Sequence, residues 1–323
     1  MFSLRLKMTK KSERQTLLQE YYGALTYRRQ KHFLEDLNEW CQKYLRKSFE
    51  EIVCAEPETL IKLRSELDRL EVQGETLPER LANYLKGTLF RTMDQDKGKG
   101  DAKRILLEAV DALVCPYCNR NYIYNAVDRF APDTWRITCE LDHFLPKTRY
   151  PLLAVSFFNL IPSCHFCNHT KHEEELQAFY PYGLKPRDTK QLRFDWWPTG
   201  TDYLTNKESV EVGLLVNTGG WQRNSNYPGW TRKGVLHDIR LLKLRELYAG
   251  HNGVVQKLLL RYAVWDESYA EAIFEGYGQY FASPQEVRAL MLDEPEEIDE
   301  AETLLGKLKH DIIHGCREVH GNR

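Results

Sequence analysis

A chain of 323 residues, 42% of them apolar, is long enough for two domains or for one catalytic module with helical additions. Its formal charge of −2 gives no sign of a nucleic-acid partner, so binding of that kind needs a local basic surface. Eight cysteines, four of them in two Cys-x-x-Cys pairs, point to metal binding in a reducing compartment, not to a disulfide framework. No run approaches the roughly 20 apolar residues that span a bilayer, and the N-terminus lacks an apolar signal core, so no membrane association is expected and the cytoplasm is the expected location.

Residues 1–31 carry eight Lys/Arg against Glu13 and Glu20, which suits either a phosphate-binding arm or, more simply, a solvated helix face. From residue 31 to 113 the pattern is helical. Phe33, Leu34, Leu37, Trp40, Cys41, Tyr44 and Leu45 recur at three- and four-residue intervals, and Leu60, Leu63, Leu67 and Leu70 repeat the signal. Residues 93–101 read as a loop. Cys41 and Cys54, among the helices, are read as packed thiols.

Cys115 and Cys118 form the first knuckle, and Cys164 and Cys167 the second. Four thiolates in two such pairs suit one tetrahedral structural zinc. Between the knuckles, residues 122–124 and 135–141 are predicted strands, with a turn at Pro132 and Asp133. Alternation in the second strand puts Cys139 on the apolar face, as packing, and Asp142 at the end of the polar face. His143 follows where Pro146 stops a ladder. Residues 157–161 are predicted as another strand, followed by a short helix from about Asn168.

After a turn at residues 179–183, short strands are expected around Arg193 to Trp197 and over residues 210–216. Residues 219–230 read as a loop. Helix returns over 235–265 with a break at Gly250 to Gly253, then over 269–281, and a last helix ends near His314. Residues 293–302 hold seven acids and no base, an unfavourable surface for DNA.

The chemistry lies between the knuckles. Neutral imidazole at His143 suits a general base, while Asp142 and Asn168 offer hard oxygens that suit magnesium or manganese better than zinc. Lys147, Arg149 and Lys171 are candidate phosphate contacts. His165, His169 and His172 are read as bystanders to four cysteines. His310 and His314, with Cys316 and His320 beyond, are read as a polar tail in preference to a second metal site.

Cys115, Cys118, Asp142, His143, Pro146, Asn159, Leu160, Cys164, Cys167, Asn168 and Lys171, in this order and spacing, resemble the HNH endonucleases in their zinc-knuckle form. The longer stretch around them is similar to the nuclease subunit of Septu-type phage-defence systems. The resemblance covers about a quarter of the chain and implies an α+β fold. That fold is a small ββα-metal core over 111–185 embedded in a helical region over 1–110 and a strand-then-helix region over 186–323. It further implies His143 as catalytic base and Asn159 as brace of its loop. Asp142 and Asn168 would hold a catalytic Mg2+ or Mn2+, beside a structural Zn2+. The implied activity is hydrolysis of nucleic acid, DNA before RNA, with an ATPase as partner protein. The alternative is a zinc-stabilised nucleic-acid-binding or adaptor module without catalysis.

Overall fold

The computed structural model describes residues 4–8, 10–27, 29–91, 93, 101–123, 125–127, 135–184, 191–218, 230–294 and 302–321. The expected turn at Pro132 and Asp133, most of the 93–101 and 219–230 loops and most of the acidic 293–302 stretch lie outside these residues.

The fold is α+β, with small two-stranded ladders set among helices. The N-terminal region comprises β1 (Arg5–Leu6), α1 (Lys11–Thr26), α2 (Lys31–Leu45), α3 (Phe49–Val53), α4 (Pro57–Val72) and α5 (Glu79–Asn83). A π-helical turn (Tyr84–Leu89), α6 (Ala102–Ala109) and β2 (Val110–Asp111), which pairs antiparallel with β1, complete it. The spacing of Leu37, Trp40, Cys41 and Leu45 places all four on the buried side of α2, as amphipathic periodicity requires. Helix α3 begins with a reciprocal cap in which Ser48 and Glu51 satisfy each other's backbone N–H groups. Arg5, Lys7, Lys10, Lys11 and Lys31 are exposed, as a solvated face requires, while the other side of α1 buries Leu17, Leu18, Tyr21, Ala24 and Leu25, at about 2 kcal/mol for each large apolar side chain.

The central region departs from expectation in four ways, the first at residues 122–124, expected as a strand, where Tyr122 makes an isolated bridge to Val114 and Ile123 lies outside any strand. The strand expected over 135–141 is two short strands with different partners. β4 (Trp135–Ile137) pairs with β3 (Asn125–Val127), whereas β5 (Glu140–His143) pairs with β6 (Leu160–Ser163). The strand expected over 157–161 starts later, because Phe157–Asn159 coils into a 3-10 turn before β6. Pro162 is tolerated within β6 because β5–β6 is a ladder of only two strands, so each strand has an edge where a missing N–H costs no pairing. Helix α7 (His165–Lys171) starts three residues before Asn168, directly after Cys164.

Beyond it lie β7 (Leu192–Pro198) and β8 (Val210–Val216), a seven-residue antiparallel hairpin. Gly213 leaves room there for the ring of Trp197, which a Cβ at this position would displace. Then follow α8 (Arg232–Leu241), α9 (Leu244–Ala249), α10 (Asn252–Val264), α11 (Glu267–Tyr277), α12 (Pro284–Leu292) and α13 (Gly306–Gly321). The helix expected over 235–265 has a second break at Lys243, in left-handed conformation with φ 52°. Helix α12 was not expected, and α13 runs past His314 to Gly321. Among the described residues no helix is long and apolar enough to cross a membrane.

Both flanking regions clasp the centre through buried polar contacts. Tyr21 Oη donates to the Val155 carbonyl at 3.0 Å and Ser156 Oγ to that of Ile52 at 3.0 Å. Tyr248 Oη donates to the Cys118 carbonyl at 2.6 Å, and the Leu305 N–H to that of Asn119 at 2.8 Å. Asp238 on α8 accepts the backbone N–H groups of Gln177, Ala178 and Phe179 at 2.7–2.8 Å, fixing the chain as it leaves the centre.

Candidate metal centre and adjoining active site

The four knuckle cysteines converge. Cys115, Cys118, Cys164 and Cys167 are all buried, and their sulfurs lie within 4.8 Å of one another. Cys118 Sγ and Cys164 Sγ are 3.9 Å apart. A tetrahedral zinc with Zn–S bonds of 2.3 Å requires S···S separations of about 3.8 Å, so the group fits that ion. The first knuckle closes through Asn119, whose N–H donates to the Cys115 carbonyl at 2.8 Å from a left-handed φ of 54°, a conformation Asn adopts more readily than most residues. N–H groups also point at sulfur: Cys164 N to Cys115 Sγ at 3.4 Å, Arg120 N to Cys118 Sγ at 3.4 Å, and Asn121 Nδ2 to Cys164 Sγ at 3.3 Å. Such donors stabilise thiolate ligands. Cys139 is buried outside this group, and burial pushes its thiol up to about 11.

His143 stands at the end of β5, with its Nε2 3.0 Å from the Ala154 carbonyl oxygen. A carbonyl only accepts, so Nε2 carries the proton and, in the neutral ring, Nδ1 carries the lone pair. Burial, then the positive charge of Lys147, pushes the imidazole down to about 3, which keeps it neutral at physiological pH. The π-helical turn leads into Phe90, whose ring centroid lies 4.5 Å from that of His143. Asn159 spans the intervening loop. Its Oδ1 accepts the Leu145 N–H at 2.8 Å, and its Nδ2 donates to the carbonyls of Leu145 at 3.1 Å and Leu153 at 2.8 Å. Phe90, Leu141, His143, Lys147, Asn168 and Glu173 are among the residues lining an open cavity of about 260 Å³.

Asp142 does not stand where alternation suggested. It is buried, accepting Tyr117 Oη at 2.8 Å and Lys171 Nζ at 3.1 Å. Burial raises its carboxyl above the ordinary value although both partners pull the other way. Lys171 is correspondingly no surface cation: it is fully buried and also donates to the His143 carbonyl at 2.7 Å. Its role as a phosphate contact is corrected to that of an internal counter-ion. Asn168 donates through Nδ2 to Glu140 and lines the cavity beside His143, whereas Asp142 is turned to Tyr117 and Lys171. Arg149 is half exposed but bridged to Asp68 at 3.0 Å, whereas Lys147 lies over the Phe90 ring at 4.9 Å, on the cavity wall.

Tyr117 and Glu140 were missed from sequence. Tyr117 sits inside the first knuckle, and Glu140 shares the strand parity of Asp142, which was the available signal. The rings of His310 and His314 lie tilted with centroids 5.9 Å apart, with no third ligand gathered to them among the described residues.

Over 75 residues the chain is 35% identical to the Septu protein PtuB of Bacillus thuringiensis. That stretch is 23% of this chain and 29% of PtuB, so the likeness to PtuB reaches less than a third of either protein. No family model matches the chain, and no solved structure matches it.

Proposed function

We propose that the chain is an HNH endonuclease that hydrolyses phosphodiester bonds, with DNA the favoured substrate, and that it serves in phage defence beside an ATPase partner. The observation that carries the reading is His143, held through Nε2 by the Ala154 carbonyl on the wall of an open cavity that also presents Lys147. The limited likeness to the Septu protein PtuB and the cysteine-bound core support it.

In this reading Lys147 attracts the phosphate, and Nδ1 of His143 takes a proton from water as its oxygen attacks phosphorus. The P–O bond to the leaving oxygen breaks, and that oxygen is protonated from solvent. Asn159 keeps the loop that sets the ring's position. The divalent requirement implied by the resemblance, magnesium or manganese, is retained, because such an ion offsets charge on the leaving oxygen. Asp142 does not fit one as it stands, being committed to Lys171 and Tyr117, whereas Asn168 meets Glu140 through Nδ2 and would hold such an ion through Oδ1; no step is assigned to either.

The test is cleavage of plasmid and single-stranded substrates with and without the neighbouring gene product. His143→Ala is expected to abolish cleavage while zinc content and circular dichroism stay unchanged. Undiminished cleavage by His143→Ala would remove the mechanism. Absence of wild-type cleavage on any DNA or RNA would favour the binding module.

A further inference from the structure

Outside the four-cysteine group, a second set of ligand atoms gathers on the outer face of α7. His165 and His169, four residues apart, lie on the same helical face with ring centroids 3.9 Å apart. Glu140, reaching across from β5, places Oε1 2.6 Å from His165 Nδ1. One donor atom from each of the three residues lies within 4.8 Å of the others. Glu140 is further fixed by the amide of Asn168, which donates to its other oxygen. Burial acts to raise this carboxyl, but the bonds from Asn168 and His165 outweigh it and hold it below its ordinary value.

We infer that Glu140, His165 and His169 form a second metal site, for a borderline transition-metal ion such as zinc. Four-coordinate zinc with nitrogen and oxygen ligands at 2.0–2.1 Å needs donors about 3.3 Å apart, within reach of small side-chain rotations from the observed spacing. Two imidazoles and one carboxylate discriminate against magnesium, which prefers an all-oxygen octahedron, and leave a fourth position for water. The Asn168 amide supplies the outer hydrogen bond that orients a ligating carboxylate. The site differs from the cysteine centre in being solvent-accessible, with the His165 side chain 72% exposed. It borders the His143 cavity through Asn168 and His169, which line that cavity. The inference does not depend on the nuclease reading, because metal content is measured without substrate.

The experiment is equilibrium dialysis of the full chain against low-micromolar zinc chloride, followed by elemental counting. Two ions per chain are expected for the wild type. One is expected for His165→Ala and for Glu140→Gln, with an unchanged circular dichroism spectrum, because both side chains are at least partly exposed. Each variant should bind the second ion at least tenfold more weakly. One ion in the wild type, or two in both variants, overturns the site. Cobalt substitution keeps the test open if a variant misfolds. The thiolate centre gives intense charge-transfer absorption, and the second site a weak visible band that His169→Asn should remove. A wild type without that weak band also overturns the proposal.

Discussion

Lys171→Met separates an internal counter-ion from a surface cation. Lys171 has no exposed side-chain area and Asp142 has 2%, with Nζ 3.1 Å from the carboxylate and 2.7 Å from the His143 carbonyl. Removing one partner of a buried ion pair costs about 3–5 kcal/mol, because the remaining charge keeps its desolvation penalty. An exposed bridge such as Arg149–Asp68, with side chains 52% and 34% exposed, is worth about 0–1 kcal/mol. In zinc-loaded protein, hydrogen exchange of peptides spanning β5 to α7 should therefore accelerate by about 2.2 to 3.7 orders of magnitude, at 1.36 kcal/mol per decade. The same peptides in Arg149→Ala should change by less than about tenfold. Asp142→Asn combined with Lys171→Met removes both charges and should be less destabilised than Lys171→Met alone. Acceleration below tenfold in Lys171→Met, or a double variant worse than the single, would refute the reasoning.

Iodoacetamide at pH 8 should spare Cys41 in the native chain, because burial excludes the reagent and pushes its thiol up to about 12. Strong chelation should open Cys115, Cys118, Cys164 and Cys167 to alkylation before Cys41, as mapped by mass spectrometry. Asn159→Ala deletes three buried hydrogen bonds and should destabilise the fold by about 2–4 kcal/mol; if cleavage is established, kcat should fall with KM little changed. Asp238→Ala leaves three N–H groups unpaired and should cost about 3 kcal/mol or more in urea unfolding, while Asp238→Asn, which keeps an acceptor, should recover part of it.

Much of the organisation was legible in spacing. Period-3.6 runs marked the buried faces of α2 and α4, and alternation marked the β7–β8 hairpin. The resemblance supplied the α+β class. The buried side of α1 escaped because its apolar residues are diluted by charges, and packing against α6 and the centre is what buries them. The broken strand at residues 138 and 139 escaped because alternation continues through a change of partner: side-chain parity is local, whereas pairing is not.

At the site, each Cys-x-x-Cys spacing by itself determined a pair of sulfurs, since a knuckle is a local turn that aims both thiols the same way, whereas tertiary packing brings the two pairs, with Cys118 and Cys164 46 residues apart, to one point. The place of His143 ahead of Pro146 was likewise readable along the chain, whereas the bracing by Asn159 was implied only by the resemblance. Only the tertiary structure decided the partners of Asp142, Lys171, Glu140 and Asn168. A charged side chain in sequence carries no record of its burial, and whether it meets solvent or an opposite charge depends on elements brought over it from elsewhere. Tyr117 from the first knuckle and Lys171 from α7 both reach Asp142 on β5. The same packing turns Glu140 toward Asn168, His165 and His169.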